Sequence, residues 1–216
     1  MAATDTGPPA ALGRRERKKL ETRRALRESA LRLFAEKGYD RTTIEDIAEA
    51  ADLAPRTFFL HFTSKEDVLV GDTTEQLDRF RAALAARPAE EDPLLMVRAA
   101  VRDLPAFTEP DRDELILRTR LAEEAPALLA RTLERYTAFE RVISDAVARR
   151  LAERAPGGSA AGARSGLYAE LLGAAAMSAL RVALTAWCRD EGTVSLTDLL
   201  DDAFDQLAAG LSRPAG

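Results

Sequence analysis

One cysteine and one histidine in 216 residues exclude a good deal. Cys188 alone can form neither an internal disulfide nor a thiolate metal cluster, and His61 alone rules out a multi-histidine metal site. Neither residue has a catalytic partner nearby in the sequence, and no glycine-rich phosphate loop follows a strand pattern, so an enzyme is not indicated and neither a metal nor another cofactor is expected. Cys188 reads as a small buried hydrophobe. With 12 Gly and 10 Pro the chain is not linker-dominated, and disorder is expected only at its ends. No run of residues alternates apolar and polar with period two, which removes strands from the expected fold. No apolar segment follows the start methionine, so neither export nor a membrane anchor is expected and the cytoplasm is the default location. The apolar stretch 171–187, "LLGAAAMSALRVALTAW", has the length of a short span, but Arg181 interrupts it and no second span accompanies it. A helix buried on two sides fits that stretch better.

Charge is unevenly distributed. The whole chain carries a formal net charge of −5, yet residues 1–65 hold 13 Lys+Arg against 10 Asp+Glu, and the remainder holds 18 against 26. The segment "RRERKKLETRRALR", residues 14–27, is dominated by arginine and lysine. A basic head on an acidic body is the asymmetry expected when one part of the molecule faces phosphate.

Helical spacing runs through the chain. A first helix should begin near Arg15 or Arg17 and stop at Gly38, with Leu26, Ala30, Leu33 and Phe34 as its buried stripe. Thr43 followed by Asp46 resembles a capping box for a short second helix carrying Ile44, Ile47, Ala48 and Ala51. Asp52 then sits at a sharp turn, Leu53 is an apolar plug, and Pro55 opens a third helix expected to reach about Phe62. Within it Phe58 and Phe62 share the inner face, Arg56, Phe59 and Leu60 project outward, and Thr57 lies at the edge. A fourth helix is expected from Lys65 to the break at Arg87-Pro88. Further helices follow Asp92-Pro93 and Pro126, with interruptions at Pro105 and Pro110 around Phe107. The helix after Pro126 should run to Arg154 with Leu129, Leu133, Tyr136, Phe139, Ile143, Val147 and Leu151 on one stripe. Residues 155–166, "APGGSAAGARSG", read as a flexible loop, and Ser195 caps an amphipathic last helix carrying Leu196 to Leu211. The expected fold is all-α: a tail (1–13), an N-terminal three-helix helix-turn-helix domain (14–66), then a helical bundle (67–213), about nine helices in all.

Two short helices joined by a tight turn, with a third bracing them, offer the second short helix to a DNA major groove. The stretch "TTIEDIAEAADLAPRTFFLHFTSKEDVL", Thr42 to Leu69, resembles the DNA-binding signature of the TetR family of transcriptional regulators at nearly every position and without gaps. The resemblance implies that Thr43 and Lys65 hold phosphates, that Arg56, Thr57 and Phe59, with Pro55 and Leu60 beside them, face the groove, and that His61 hydrogen-bonds a phosphate. Arg14, Arg15 and Lys18 belong to the basic run that would add phosphate contacts. Two departures stand out. Asp52 occupies a position usually held by Gly, and Phe59 and Leu60 replace residues that are often tyrosines, which favours contact with thymine methyls over hydroxyl–phosphate bonds. His61 could instead cap a helix end, and Phe59 could instead pack against the first helix.

In the body, "RTRLAEEAPALLARTLERYTAFERVISDAV" is similar to the C-terminal domain of the TetR subgroup that includes the mycofactocin-system regulator, which implies an acyl-CoA-like effector. Phe80, Leu84, Val97, Val101, Phe107, Leu117, Leu121, Tyr136, Phe139 and Met177 could line a tunnel for a small hydrophobic effector or could be ordinary core. Arg118 and Arg120 could hold the polar end of such a ligand or pair with neighbouring glutamates. The expected molecule is a homodimeric repressor of a palindromic DNA operator, joined through its last two helices and without membrane contact. A helical carrier or scaffold that has lost specific operator binding is the alternative.

Overall fold

The computed structural model describes residues 13–71, 73–104, 107, 111–154 and 159–210. The expected tail up to Leu12, the interruptions at Pro105 and Pro110, and Leu211 lie outside the described residues. Among the described residues there are helices and no strands: α1 (Arg14–Lys37), α2 (Ile44–Ala50), α3 (Pro55–Phe58), α4 (Lys65–Val70), α5 (Thr73–Ala85), α6 (Pro93–Arg102), α7 (Arg112–Glu124), α8 (Pro126–Arg154), α9 (Ser159–Arg189) and α10 (Leu196–Ala208). They divide into a unit ending at Leu69 and a unit beginning at Val70.

In the first unit α1 buries Leu26, Ala30, Leu33 and Phe34, α2 buries Ile47 and Ala48, and α3 buries Phe58. Gly38 ends α1 at φ 82°, donating its N–H to Phe34 O at 3.0 Å. The third helix is shorter than its spacing suggested. Beyond Phe58 the chain tightens, Leu60 N–H donating to Thr57 O (3.2 Å) and His61 N–H to Phe58 O (2.9 Å). These are three-residue turns, and the Phe62 N–H also reaches Phe58 O at 3.0 Å, which brings the buried Phe62 back towards α3.

In the second unit α9 is the centre, packed along α8 and also against α10, α7 and α6. Phe80, Val97, Ile143, Met177, Leu200 and Phe204, drawn from five helices, belong to one continuous core. Each large apolar side chain buried there contributes about 1.5–3 kcal/mol. Arg98 of α6 bonds Asp201 (3.0 Å) and Asp205 (2.6 Å) of α10, tying the last helix down at its polar edge. A stretch within Gly162–Arg189 is long and apolar enough to cross a membrane, but 56% of that window is buried inside the protein, as befits a core helix.

Three expectations need correction. The helix foreseen from Lys65 to Arg87 is two helices, because the chain turns at Gly71, φ 80°. Of residues 155–166, those from Ser159 onward are the first turns of α9 rather than a loop. Each glycine there costs about 1 kcal/mol relative to alanine, but adding residues to a helix already nucleated and packed is far cheaper than starting one, and Ala163 favours it. Leu129 and Leu133 are 42% and 47% exposed, because α8 turns Leu128, Phe139, Val142, Ile143 and Val147 inward instead.

Candidate functional site

The first unit positions a short helix, α3, with great economy. Thr43 Oγ1 accepts from Asp46 N–H (3.0 Å) while the Asp46 carboxylate accepts from Thr43 N–H (2.9 Å), closing the capping box. At the other end of α2 the N–H of Leu53 reaches Ala48 O (2.9 Å) and that of Asp52 reaches Glu49 O (2.9 Å). This is the double bond pattern of a helix end whose next residue is left-handed. Asp52 is that residue, at φ 56°, where most families of such turns use glycine. The chain then leaves directly into Pro55, whose fixed φ starts α3.

The two adjacent phenylalanines part company on α3. Phe58 is fully buried against Phe62 (ring centroids 5.5 Å), whereas Phe59 is 59% exposed and touches only the edge of Phe58 among the described ring pairs. Leu60 is 76% exposed. Arg56 is exposed beside them and Pro55 likewise, with Thr57 half-buried at the edge. Two large apolar side chains held in water next to an arginine have no role in the core of this unit. Most of the Phe59 side chain is left to solvent.

His61 and Lys65 are more enclosed. The backbone O of His61 accepts from Arg23 (2.8 Å), whose guanidinium also lies over Phe62, 4.6 Å from the ring centroid. His61 Nδ1 is buried and has no hydrogen-bond partner among the described residues. Burial, then Arg23 and Lys19, push its pKa below the usual histidine value. Lys65 Nζ donates to Tyr39 O (2.9 Å) and Thr42 O (3.2 Å) and stands 4.0 Å from the centroid of the Tyr39 ring. The Tyr39 hydroxyl in turn donates to Glu66, and Thr42 Oγ1 donates to Gly38 O at 2.8 Å. Lys65 thus braces the loop that presents Thr43, leaving one ammonium proton uncommitted. Arg23, Tyr39 and Glu66 complete that brace; sequence spacing gave no sign of them, because each acts across a turn or from another helix.

The basic run on α1 is divided. Arg14, Arg15 and Lys18 are exposed, but Arg23 and Arg27 are used internally, Arg27 donating to Val68 O at 2.7 Å. Within the run foreseen from Arg14 to Arg27, Arg23 and Arg27 are thus engaged with backbone carbonyls of the protein itself.

In the second unit Phe80, Leu84, Val97, Val101, Phe139 and Met177 are buried in the common core, with Phe107 and Tyr136 packed at its margin. Leu121 is buried and Leu117 half-buried on α7. Arg118 faces Glu114 at 3.6 Å and Arg120 faces Glu191 at 3.6 Å, so both arginines have acidic neighbours. Cys188 is buried, its thiol 3.6 Å from Ile116 O, and burial raises its pKa.

A short helix offered to solvent at the end of a braced helix-turn-helix is matched by sequence comparison. Residues 26–70 match the family model described as bacterial regulatory proteins, tetR family, and residues 91–212 match that of the MftR C-terminal domain. The mycofactocin biosynthesis regulator named MftR in Mycobacterium tuberculosis is 33% identical over 204 residues, covering 91% of this chain and 94% of the relative. The chain belongs to the TetR family. The HTH-type transcriptional regulator TcmR of Streptomyces glaucescens is 38% identical over 154 residues, a match spanning 68% of this chain and 66% of that relative. Among solved structures, FadR of Bacillus subtilis, crystallised with stearoyl-CoA, superposes with a TM-score of 0.59 at 18% identity, covering 88% of this chain and 99% of that one. The molecule is a TetR-family transcriptional regulator, all-helical, with its helix-turn-helix in the N-terminal unit.

Proposed function

We propose that this regulator is a repressor that binds a palindromic DNA operator as a homodimer and is released by a small hydrophobic effector. The observation that carries the DNA assignment is the outer face of α3, where Arg56 stands with Phe59 and Leu60, 59% and 76% exposed. An arginine suits guanine in the major groove and the two apolar side chains suit thymine methyls. Thr57 and Pro55 complete that face. Thr43, His61 and Lys65 serve the phosphates, Lys65 through its remaining proton, with Arg14, Arg15 and Lys18 adding charge. The action takes place in the cytoplasm, where the operator is.

The homodimer forms on α9. Leu167, Leu171, Ala174, Ser178 and Val182 recur at helical spacing and are all exposed, with Leu171 at 61% and Leu167 at 59%. An apolar stripe of this kind on an otherwise charged surface is what a second copy covers. The close approach of Gly173, by contrast, is spent within the protomer against Glu140. Two recognition helices must then lie about 34–36 Å apart, or a multiple of that, to enter successive grooves.

For the effector, resemblance to MftR and the fold shared with a FadR bound to stearoyl-CoA favour an acyl-CoA. Each CH₂ buried is worth about 0.8 kcal/mol, so a few carbons suffice to bias two conformations of the body.

Selection of bound DNA from a random pool tests the proposal. A palindrome should emerge; Arg56→Ala should cost about 1–3 kcal/mol and relax the preference, while Lys18→Ala should weaken all sequences alike and flatten the salt slope by about one. A pool without an enriched sequence would reject the repressor assignment. Unchanged operator affinity at saturating long-chain acyl-CoA would reject the effector alone.

A further inference from the structure

The strongest unexplained charge in the second unit is Arg135 of α8. Its Nε is buried and has no hydrogen-bond partner among the described residues. Its NH1 reaches the amide oxygen of Gln76 on α5 at the long distance of 3.5 Å, and its guanidinium lies 5.7 Å from the centroid of the Tyr136 ring and is supported by that tyrosine's side chain. Among the described residues no carboxylate pairs with it. Every other arginine of α8 that points back into the unit has better partners: Arg150 donates to Glu91 O and Arg87 O at 3.2 and 3.1 Å, and Arg154 to Glu91 O at 2.9 Å.

A guanidinium stays charged in any protein interior, and Arg135 is half-buried with its Nε out of reach of water, so that donor goes without an acceptor at a cost the fold does not need to bear. Burial acts against its charge, and the neighbouring Tyr136 offsets this only in part. One helical turn along α8 from Arg135 is Phe139, and one turn along α5 from Gln76 is Phe80. These two rings meet edge to face with centroids 5.1 Å apart. A cation and an amide at one end, with an aromatic pair one turn away on the same two helices, fit a molecule with an anionic head and an apolar body.

We infer that Arg135, with Gln76, anchors the anionic head of the effector between α5 and α8. This rests on the proposal that the body binds an effector, and it moves the polar end of that site from Arg118 and Arg120, which face glutamates, to Arg135. The head group is a carboxylate or a phosphate, each able to accept two guanidinium hydrogen bonds at once. A carboxylate comes with a free fatty acid, whereas a phosphate comes with a phosphorylated carrier such as coenzyme A.

The full chain should be titrated with dodecanoate, dodecyl phosphate, lauroyl-CoA and the neutral dodecanol, following the fluorescence of Trp187 and, by calorimetry, the heat of binding. At least one of the anions should bind tenfold or more tightly than dodecanol. Arg135→Met should abolish that preference while leaving dodecanol unchanged, and Arg135→Lys should retain part of it. Preference for dodecanoate would name the carboxylate, and preference for the phosphate or the thioester would name the carrier. The ligand-free Arg135→Met protein should also melt at a higher temperature than wild type, because it loses a half-buried charge whose Nε has no acceptor; a residue placed for structure alone would lower it. Equal affinity for anions and dodecanol, no binding of any anion, or an anion preference that survives in Arg135→Met would overturn the inference. If Arg135→Met did not fold, loss of the preference in a folded Arg135→Lys would support it and an undiminished preference there would count against it. Operator binding measured without ligand separates the two proposals: its loss would sink the repressor assignment and leave the anion measurements standing.

Discussion

Alanine in place of Gly173 would put a methyl carbon 2.7 Å from the backbone oxygen of Glu140 and 2.7 Å from Ser144 Oγ, both on the facing helix α8. Ser144 can give way by rotating, at the expense of its hydrogen bond to Ala169 O (3.2 Å), which is worth about 1 kcal/mol. The carbonyl of Glu140 cannot rotate without breaking the helix, so α8 and α9 must separate by several tenths of an ångström along the main seam of the body. Overpacking of this kind costs about 1–3 kcal/mol. Alanine returns about 1 kcal/mol through its better helix propensity, leaving a net loss of about 1–3 kcal/mol once the Ser144 bond is counted. The chain's only tryptophan, Trp187, is buried on the same helix, so its fluorescence during urea unfolding reports this unit directly. Gly166→Ala supplies the control: it lies on the same helix with nothing within 4 Å of the added carbon, and the same exchange should stabilise by up to about 1 kcal/mol. Two shifts of the same sign, or a neutral Gly173→Ala, would show that the seam yields easily and that close packing does not hold α8 on α9.

Asp52→Gly should raise the stability of the N-terminal unit by about 0.5 kcal/mol, since a left-handed backbone costs an L-residue roughly 1–2 kcal/mol and glycine gives back about 0.4–1 through its freer unfolded state; Asp52→Val should lower it, and calorimetric melting of both variants checks the order. His61 has a lowered pKa in the folded protein, so the unfolded chain takes up its proton first as pH falls. The stability His61 allows is therefore complete above its ordinary value near 6.5 and is lost as pH drops through the lower folded value; urea midpoints should fall more between pH 7.5 and 5.5 in wild type than in His61→Gln, and equal falls would refute the assignment.

Much of the first unit was legible because its signals are local. The capping box at Thr43 and Asp46, the turn at Asp52 and the start at Pro55 each lie within a few residues of their partners, and each is where the spacing put it. The split between Phe58 and Phe59 followed from helical geometry alone. Illegible were the choices made by distant partners. Lys65 and Lys18 look alike in sequence, yet Lys65 is drawn inward by two carbonyls and a ring from the segment around Tyr39, at separations of 26 and 23 residues. Leu129 and Leu133 share the period of Tyr136 and Phe139, but α8 has apolar residues around more than one face, and only the packing against α9 and α5 selects which face is covered. The glycines at 162 and 166 suggested a loop because composition cannot register that a long helix already stands on one side of them.

The same limit explains why the arginines divide as they do. Arg23, Arg27 and Arg135 all lie on helices rich in charge, and the sequence alone does not distinguish them. Arg23 and Arg27 find backbone carbonyls at 2.8 and 2.7 Å, which satisfy a guanidinium and fix the helix-turn-helix on α1. Arg135 finds one amide oxygen at 3.5 Å and the side chain of Tyr136, and its buried Nε finds no acceptor among the described residues. Had its role been structural, a carbonyl at the distances seen for Arg23 and Arg27 would have been a sufficient partner, and α8 offers its arginines such carbonyls at Arg150 and Arg154. On the proposed assignment, the acceptor that Arg135 Nε lacks among the described residues is brought by the ligand. The destabilisation this leaves in the empty protein is then the free energy that an anionic head recovers on binding, which is why melting temperature and anion affinity should move in opposite directions in Arg135→Met.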